Sequence, residues 1–267
     1  MDKPNHLTTR IPKRQAIALL AIAAIWPSLA FAQSNPTTEY IRAGGRTLAI
    51  LHMPPPDFTD LSAYPQYANE ANLLGADKIS GGCQLSPPEY CPAAQLTRDE
   101  MAVFIIASVY VALQGPGNTK PLPNWPTWPR QYFNDVPPSN NYYDFIQQMA
   151  YLGITGGCSV SPPLYCPSSP TTNAEMAVFT MAAREYVLTG NALSAFCPAI
   201  CPPTPCFADV PATDPYFNFV QALTALDVIP YGGSACGSGI TFGEGNPITR
   251  IQATPYAVRG ILGEQSY

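Results

Sequence analysis

Apolar residues in this chain fall into short helical stripes that recur along its length. Phe145, Met149 and Leu152 follow spacings of four and three, and Phe219, Leu223 and Leu226 repeat them, giving one apolar face per segment. The pattern predicts first helices over 64–74, 142–152 and 216–226. Each is followed by a Gly-rich loop ending in an aromatic, Tyr90, Tyr165 or Phe242, on a short extended segment. A second, more apolar helix then opens on a polar signal: Thr97-Arg98-Asp99-Glu100, Thr172-Asn173-Ala174-Glu175 and Thr249-Arg250-Ile251-Gln252. In each signal Thr can accept from the amide three residues on while Glu100, Glu175 or Gln252 reaches back, so all three are capping boxes. Each cap contributes on the order of 1 kcal/mol. The second helices run to about Leu113, Leu188 and Leu262.

These stripes belong to an internal repeat. An offset of 75 carries Phe58-x-Asp60 onto Phe133-x-Asp135, Gly81-Gly82-Cys83 onto Gly156-Gly157-Cys158, and Tyr90-Cys91-Pro92 onto Tyr165-Cys166-Pro167. It also carries Glu100 to Phe104 onto Glu175 to Phe179. A third copy runs from Phe207-Ala208-Asp209-Val210 through Cys236 to the box at Thr249. The expected organisation is an arm at 33–56 and repeats at 57–113, 131–188 and 206–263, joined by a Pro/Trp-rich linker at 114–130 and a Pro/Cys-rich linker at 189–205. One helix pair cannot bury both of its stripes, so the copies must pack on one another. A three-fold bundle with the second helices at its centre is the economical solution, and a linear stack is the alternative. The arm is read as an extended segment able to add to a partner's sheet edge.

Composition narrows the setting. Lys13 and Arg14 precede an apolar run and an Ala30-Phe31-Ala32 site, which predicts a signal peptide at 1–32 and export to the cell surface, periplasm or exterior. All 8 cysteines follow it, an even number suited to disulfides. Equal spacing in two repeats predicts Cys83–Cys91 and Cys158–Cys166, and leaves Cys236 to pair with Cys197, Cys201 or Cys206. Zinc is disfavoured because the spacings are not those of a knuckle. The 31 prolines rule out long coiled coils, and no stretch after the leader would span a membrane.

The formal net charge is −5, the wrong sign for nucleic acid. Only His52 follows the leader as a histidine base, so a Ser or Cys hydrolase is not expected. Asp60, Asp135 and Asp209 recur just before the first helices, where they read as turn or cap groups rather than paired glycosidase acids. Trp125 and Trp128, in the first linker, are flat aromatics that can stack on sugars or pack over the bundle. No cofactor or metal is expected, and no enzymatic activity.

Phe-x-Asp-Val, an aromatic amphipathic helix, Leu-Gly-Ile-Thr-Gly-Gly, an aromatic before Cys-Pro, and Thr-Arg-x-Glu-Met-Ala together resemble the S-layer homology repeat, here in a Cys-containing form and present three times over residues 57–263. The resemblance implies a mainly α, pseudo-threefold bundle of helix-loop-helix units with short β segments, whose inter-repeat grooves hold acidic cell-wall polysaccharide. It places the main glycan contact at the Arg of Thr-Arg-x-Glu, which maps to Arg98 and Arg250, while Asn173 replaces it in the second copy. The other reading of Arg98 and Arg250 is as solvated helix-start residues. The functional expectation is a non-catalytic envelope-anchoring module; the alternative is a structural or protein-interaction component, partnered by another envelope protein.

Overall fold

The structure is a computed structural model describing residues 39–43, 46–51, 58–121, 131–192, 204–229, 236 and 239–263. The expected signal peptide, His52, Trp125, Trp128, Cys197 and Cys201 lie outside the described residues. What is described is mainly helical: β1 (Glu39–Ala43), β2 (Arg46–Leu51), α1 (Pro65–Ala76), β3 (Gln84–Leu85), β4 (Pro88–Glu89), α2 (Arg98–Gln114), α3 (Tyr143–Tyr151), β5 (Ser159–Val160), β6 (Pro163–Leu164), α4 (Asn173–Thr189), α5 (Phe217–Ala225) and α6 (Arg250–Pro255). The arm is not a single extended strand. β1 and β2 pair with each other antiparallel, Glu39 opposite Leu51, with a register shift between Ile41 and Arg42.

Local chemistry sets the helix boundaries. α1 starts on Pro65, whose fixed φ and missing N–H suit a first helical position. α2, α4 and α6 start on the capping boxes at Thr97, Thr172 and Thr249. α4 ends on Gly190 in the left-handed region at φ 78°. Pro255 has no N–H and its ring opposes the carbonyl four residues back, so α6 stops there and the chain continues as a π-helical stretch over Tyr256–Leu262.

The second helices form the centre. α2, α4 and the π-helical stretch pack on one another, while α3 lies on α2, α5 on α4, and α1 on α6. Each first helix thus docks on the second helix of the preceding repeat, and the first repeat docks on the third. α2 is apolar nearly all round, as a helix enclosed by neighbours must be: Met101, Ile105, Ile106 and Val109 are fully buried. Burying each such side chain contributes about 1.5–3 kcal/mol.

The loops are small hairpins held by disulfides. β3 pairs with β4 and β5 with β6, Gln84 opposite Glu89 and Ser159 opposite Leu164. Cys83 is bonded to Cys91 and Cys158 to Cys166, with Cα atoms 5.9 and 6.0 Å apart. In the third repeat Cys236 is bonded to Cys206. These three disulfides are the chemistry of an oxidising, non-cytoplasmic compartment. Among the described residues no helix is long and apolar enough to cross a membrane.

Candidate functional site

The repeats meet at three joints, and backbone hydrogen bonds fix them first. Leu96 N donates to Ile248 O (3.1 Å), Ile248 N to Thr171 O (2.9 Å) and Thr171 N to Leu96 O (2.8 Å), a closed ring of three fully buried residues just ahead of the capping boxes. Each second helix starts just after this ring, with its first amides paired with the next repeat. Arg98 N and Asp99 N donate to Ser169 O and Pro167 O, Asn173 N and Ala174 N to Asn246 O and Glu244 O, and Arg250 N and Ile251 N to Ala94 O and Pro92 O. The first two amides of each second helix, which could otherwise hold an anion, are therefore already paired with neighbouring carbonyls.

The side chain after each capping threonine follows the same path. Arg98 is not a solvated helix-start residue: it is 2% exposed, its Nε donates to Tyr165 O at 2.8 Å, and Nη1 is paired with Glu175. Its guanidinium also lies 5.0 Å from the Tyr165 ring centroid and 5.6 Å from that of Phe179. Arg250 is buried too, at 8% exposure, but held less tightly. Its Nη2 is 3.5 Å from Glu100 Oε1, and its Nε has no partner. Asn173 spends its amide on Phe242 O (3.3 Å) and Gly243 O (3.0 Å), so its side chain points into the third repeat's loop and not outward.

A cyclic rule links the two ends of each box. Arg98 meets Glu175 of the next box, and Arg250 meets Glu100 of the first. The corresponding partner position for Asn173 holds Gln252, so the joint that lost its cation also lacks the anion. The signal was present in the sequence as Arg/Glu against Asn/Gln, but it is readable only once the cyclic order of docking is known. The reach-back half of each box is in place: Thr97 N, Thr172 N and Thr249 N donate to Glu100 Oε2, Glu175 Oε2 and Gln252 Oε1 at 3.3, 3.0 and 2.9 Å, and Thr172 Oγ1 also accepts from Glu175 N at 3.2 Å.

The recurring aspartates are structural and lie in turns, as expected, but their carboxylates reach beyond the turn. Asp60 takes Tyr90 N and Cys91 N on its two oxygens (2.8 Å each), Asp135 takes Tyr165 N (2.8 Å) and Cys166 N (2.7 Å), and Asp209 takes Phe242 N and Gly243 N (2.7 Å each). Each carboxylate ties the start of a repeat to its loop about 30 residues on. Paired amides converge there because the second residue is left-handed: Cys91 has φ 55°, Cys166 58° and Gly243 68°. In the third repeat, where no disulfide is needed at that position, glycine adopts the conformation without the cost borne by cysteine. Cys83, Glu89 and Cys91 lie within metal-ligand reach of one another, but both sulfurs are in the disulfide and supply no thiolate.

Sequence reasoning missed several groups around the joint between the third and first repeats. Glu70, 3% exposed, accepts from Arg259 Nε at 2.6 Å and so ties α1 to the last helical stretch. Tyr90 and Thr254 share a 2.7 Å hydroxyl contact. Tyr142, at the N-cap of α3 and half-buried, has its hydroxyl pKa raised by burial and then by Asp99 and Glu100, with Arg250 opposing.

No protein-family model and no curated protein matches this chain. The joints themselves must therefore carry the functional argument. They bring together half-buried carboxylates and one guanidinium, Arg250, whose Nε is buried without a partner.

Proposed function

We propose that this exported protein is a non-catalytic cell-envelope binding and anchoring module, built from three S-layer homology-type repeats in a pseudo-threefold bundle and recognising cell-wall polysaccharide between repeats. The observation that supports this reading is the cyclic closure of the three joints, in which the residue after each capping threonine lies on the loop of the next repeat. The resemblance to S-layer homology repeats implies an acidic polymer held by Arg98 and Arg250. We assign the role to Arg250, because Arg98 is already engaged by Tyr165 and Glu175. The module works at the cell surface, in the periplasm or outside the cell.

Co-sedimentation of the disulfide-intact protein with purified sacculi tests this. The protein should pellet with sacculi, and Arg250→Ala should weaken the association while the variant stays folded. A protein that remains in the supernatant would direct attention to the second reading, an interaction component of the envelope that binds another protein. Leu85 and Val160 favour that reading: they stand at matching tips of the two disulfide-held hairpins and are 85% and 90% exposed.

A further inference from the structure

The two disulfide-held hairpins are the same unit built twice, so a difference in ligand chemistry between them stands out. Gln84 pairs with Glu89 and Ser159 with Leu164; Cys83 and Cys158 are exposed, Cys91 and Cys166 half-buried, and the paired Cα atoms are 5.9 and 6.0 Å apart. Two residues before its second cysteine, the first loop carries Glu89 where the second carries Leu164. The Glu89 carboxylate makes no hydrogen bond or ion pair with a described residue, so the loop does not use it for its own construction. It stands beside the disulfide instead. One of its oxygens and the two sulfurs of Cys83 and Cys91 lie within 4.8 Å of one another, the one such grouping of three metal-ligand side chains among the described residues.

Opening this disulfide would free both sulfurs without dismantling the loop, because the backbone of each cysteine is held by a bond that does not pass through sulfur. Cys83 N donates to Glu89 O at 2.9 Å, and Cys91 N to Asp60 Oδ2 at 2.8 Å. The exposure of Cys83 gives a dithiol reductant access to the bond. Thiol–disulfide exchange with that dithiol passes two electrons to the Cys83–Cys91 bond and breaks it, leaving two thiols on the loop and a disulfide on the reductant. A zinc ion then displaces the two thiol protons to solvent and takes both thiolates and the Glu89 carboxylate, with a water in the fourth position. Zinc–sulfur bonds of about 2.3 Å put two sulfurs about 3.8 Å apart at a tetrahedral centre, within reach of side chains whose Cα atoms are 5.9 Å apart. The second loop, reduced in the same way, offers two thiolates and a hydrocarbon, one ligand fewer.

We propose that the first hairpin is a redox-gated zinc site, closed by the Cys83–Cys91 disulfide when oxidised and by a zinc ion on Cys83, Cys91 and Glu89 once a dithiol has reduced it. The site is independent of the glycan-binding reading. To test it, the full chain is reduced with tris(2-carboxyethyl)phosphine, titrated with zinc chloride, alkylated with iodoacetamide and mapped by peptide mass spectrometry, which reads each cysteine separately. Half-protection of Cys83 and Cys91 should come at a free zinc concentration at least about tenfold below that for Cys158 and Cys166, the matched loop without the carboxylate. Glu89→Gln keeps the shape of the side chain and removes the ligand, so it should bring the two midpoints together. Coincident midpoints in the wild type, or no protection of Cys83 and Cys91 at all, overturn the site whether or not the reduced chain keeps its circular dichroism. An undiminished separation in Glu89→Gln overturns it as well. Zinc uptake by the oxidised chain that Glu89→Gln abolishes overturns the redox gate.

Discussion

Replacing Arg98 by alanine separates a buried interlock from a surface cation. The substitution deletes a 2.8 Å hydrogen bond to Tyr165 O, the ion pair with Glu175 and two ring contacts, all in a side chain 3% exposed. Breaking a buried pair by removing one partner costs about 3–5 kcal/mol. The lower end applies here, because the Glu175 side chain is 28% exposed and keeps its bond to Thr172 N. The stranded Tyr165 carbonyl sits beside a fully buried ring and adds to the loss. The expected destabilisation is about 3 kcal/mol, or a melting temperature lower by about 6–12 °C for a domain of this size. Arg250→Ala removes a longer pair and no Nε bond, so it should cost about 1–2 kcal/mol. Urea unfolding of the oxidised protein, with both variants in parallel, reads the difference. An Arg98→Ala cost below about 0.5 kcal/mol, the range of ordinary surface changes, would refute the interlock.

Three further outcomes follow from the same geometry. Thr171 is the one hydroxyl in the ring it forms with Leu96 and Ile248, and its Oγ1 is buried without a partner, so Thr171→Val should raise stability by about 1 kcal/mol; a lower melting temperature would show that the hydroxyl is satisfied. Asp77 ends α1 where Leu152 and Leu226 end α3 and α5, and burial pushes its carboxyl up to about 6. A folded pKa raised above the unfolded value near 3.9 means a stability cost that is full above about pH 6 and relieved as pH falls towards 4. The wild type should therefore gain about 2–3 kcal/mol from that group between pH 7 and 4 while Asp77→Leu loses this part of the pH dependence, and parallel unfolding curves would contradict it. Asn173→Arg alone should destabilise by about 1 kcal/mol by evicting an amide that bonds two carbonyls, and adding Gln252→Glu should recover it; a double-mutant cycle with no coupling would break the cyclic rule.

Much of this molecule is encoded locally. The 75-residue offset, the capping boxes at Thr97, Thr172 and Thr249, the helices they start, and the Cys83–Cys91 and Cys158–Cys166 loops were legible because each depends on residues within about one turn or one hairpin of each other. Helix ends shifted by a residue or two, and the break at Pro255 became a π-helical continuation because the neighbouring helices enclose it. The fates of the charged residues were not local. Arg98 finds its acceptor 67 residues away and its anion 77 away, and Asp60 binds amides 30 and 31 residues on. Read in sequence, each looked like a helix-start or turn residue. Only the order in which the repeats dock decides whether an arginine at the first turn faces water or the next repeat. Docking against a carbonyl-bearing loop consumes the helix-start amides, and desolvation then requires the guanidinium to find an anion or a carbonyl. The same docking brings Arg250 to Glu100, 150 residues earlier in the chain, and leaves its Nε buried without a partner.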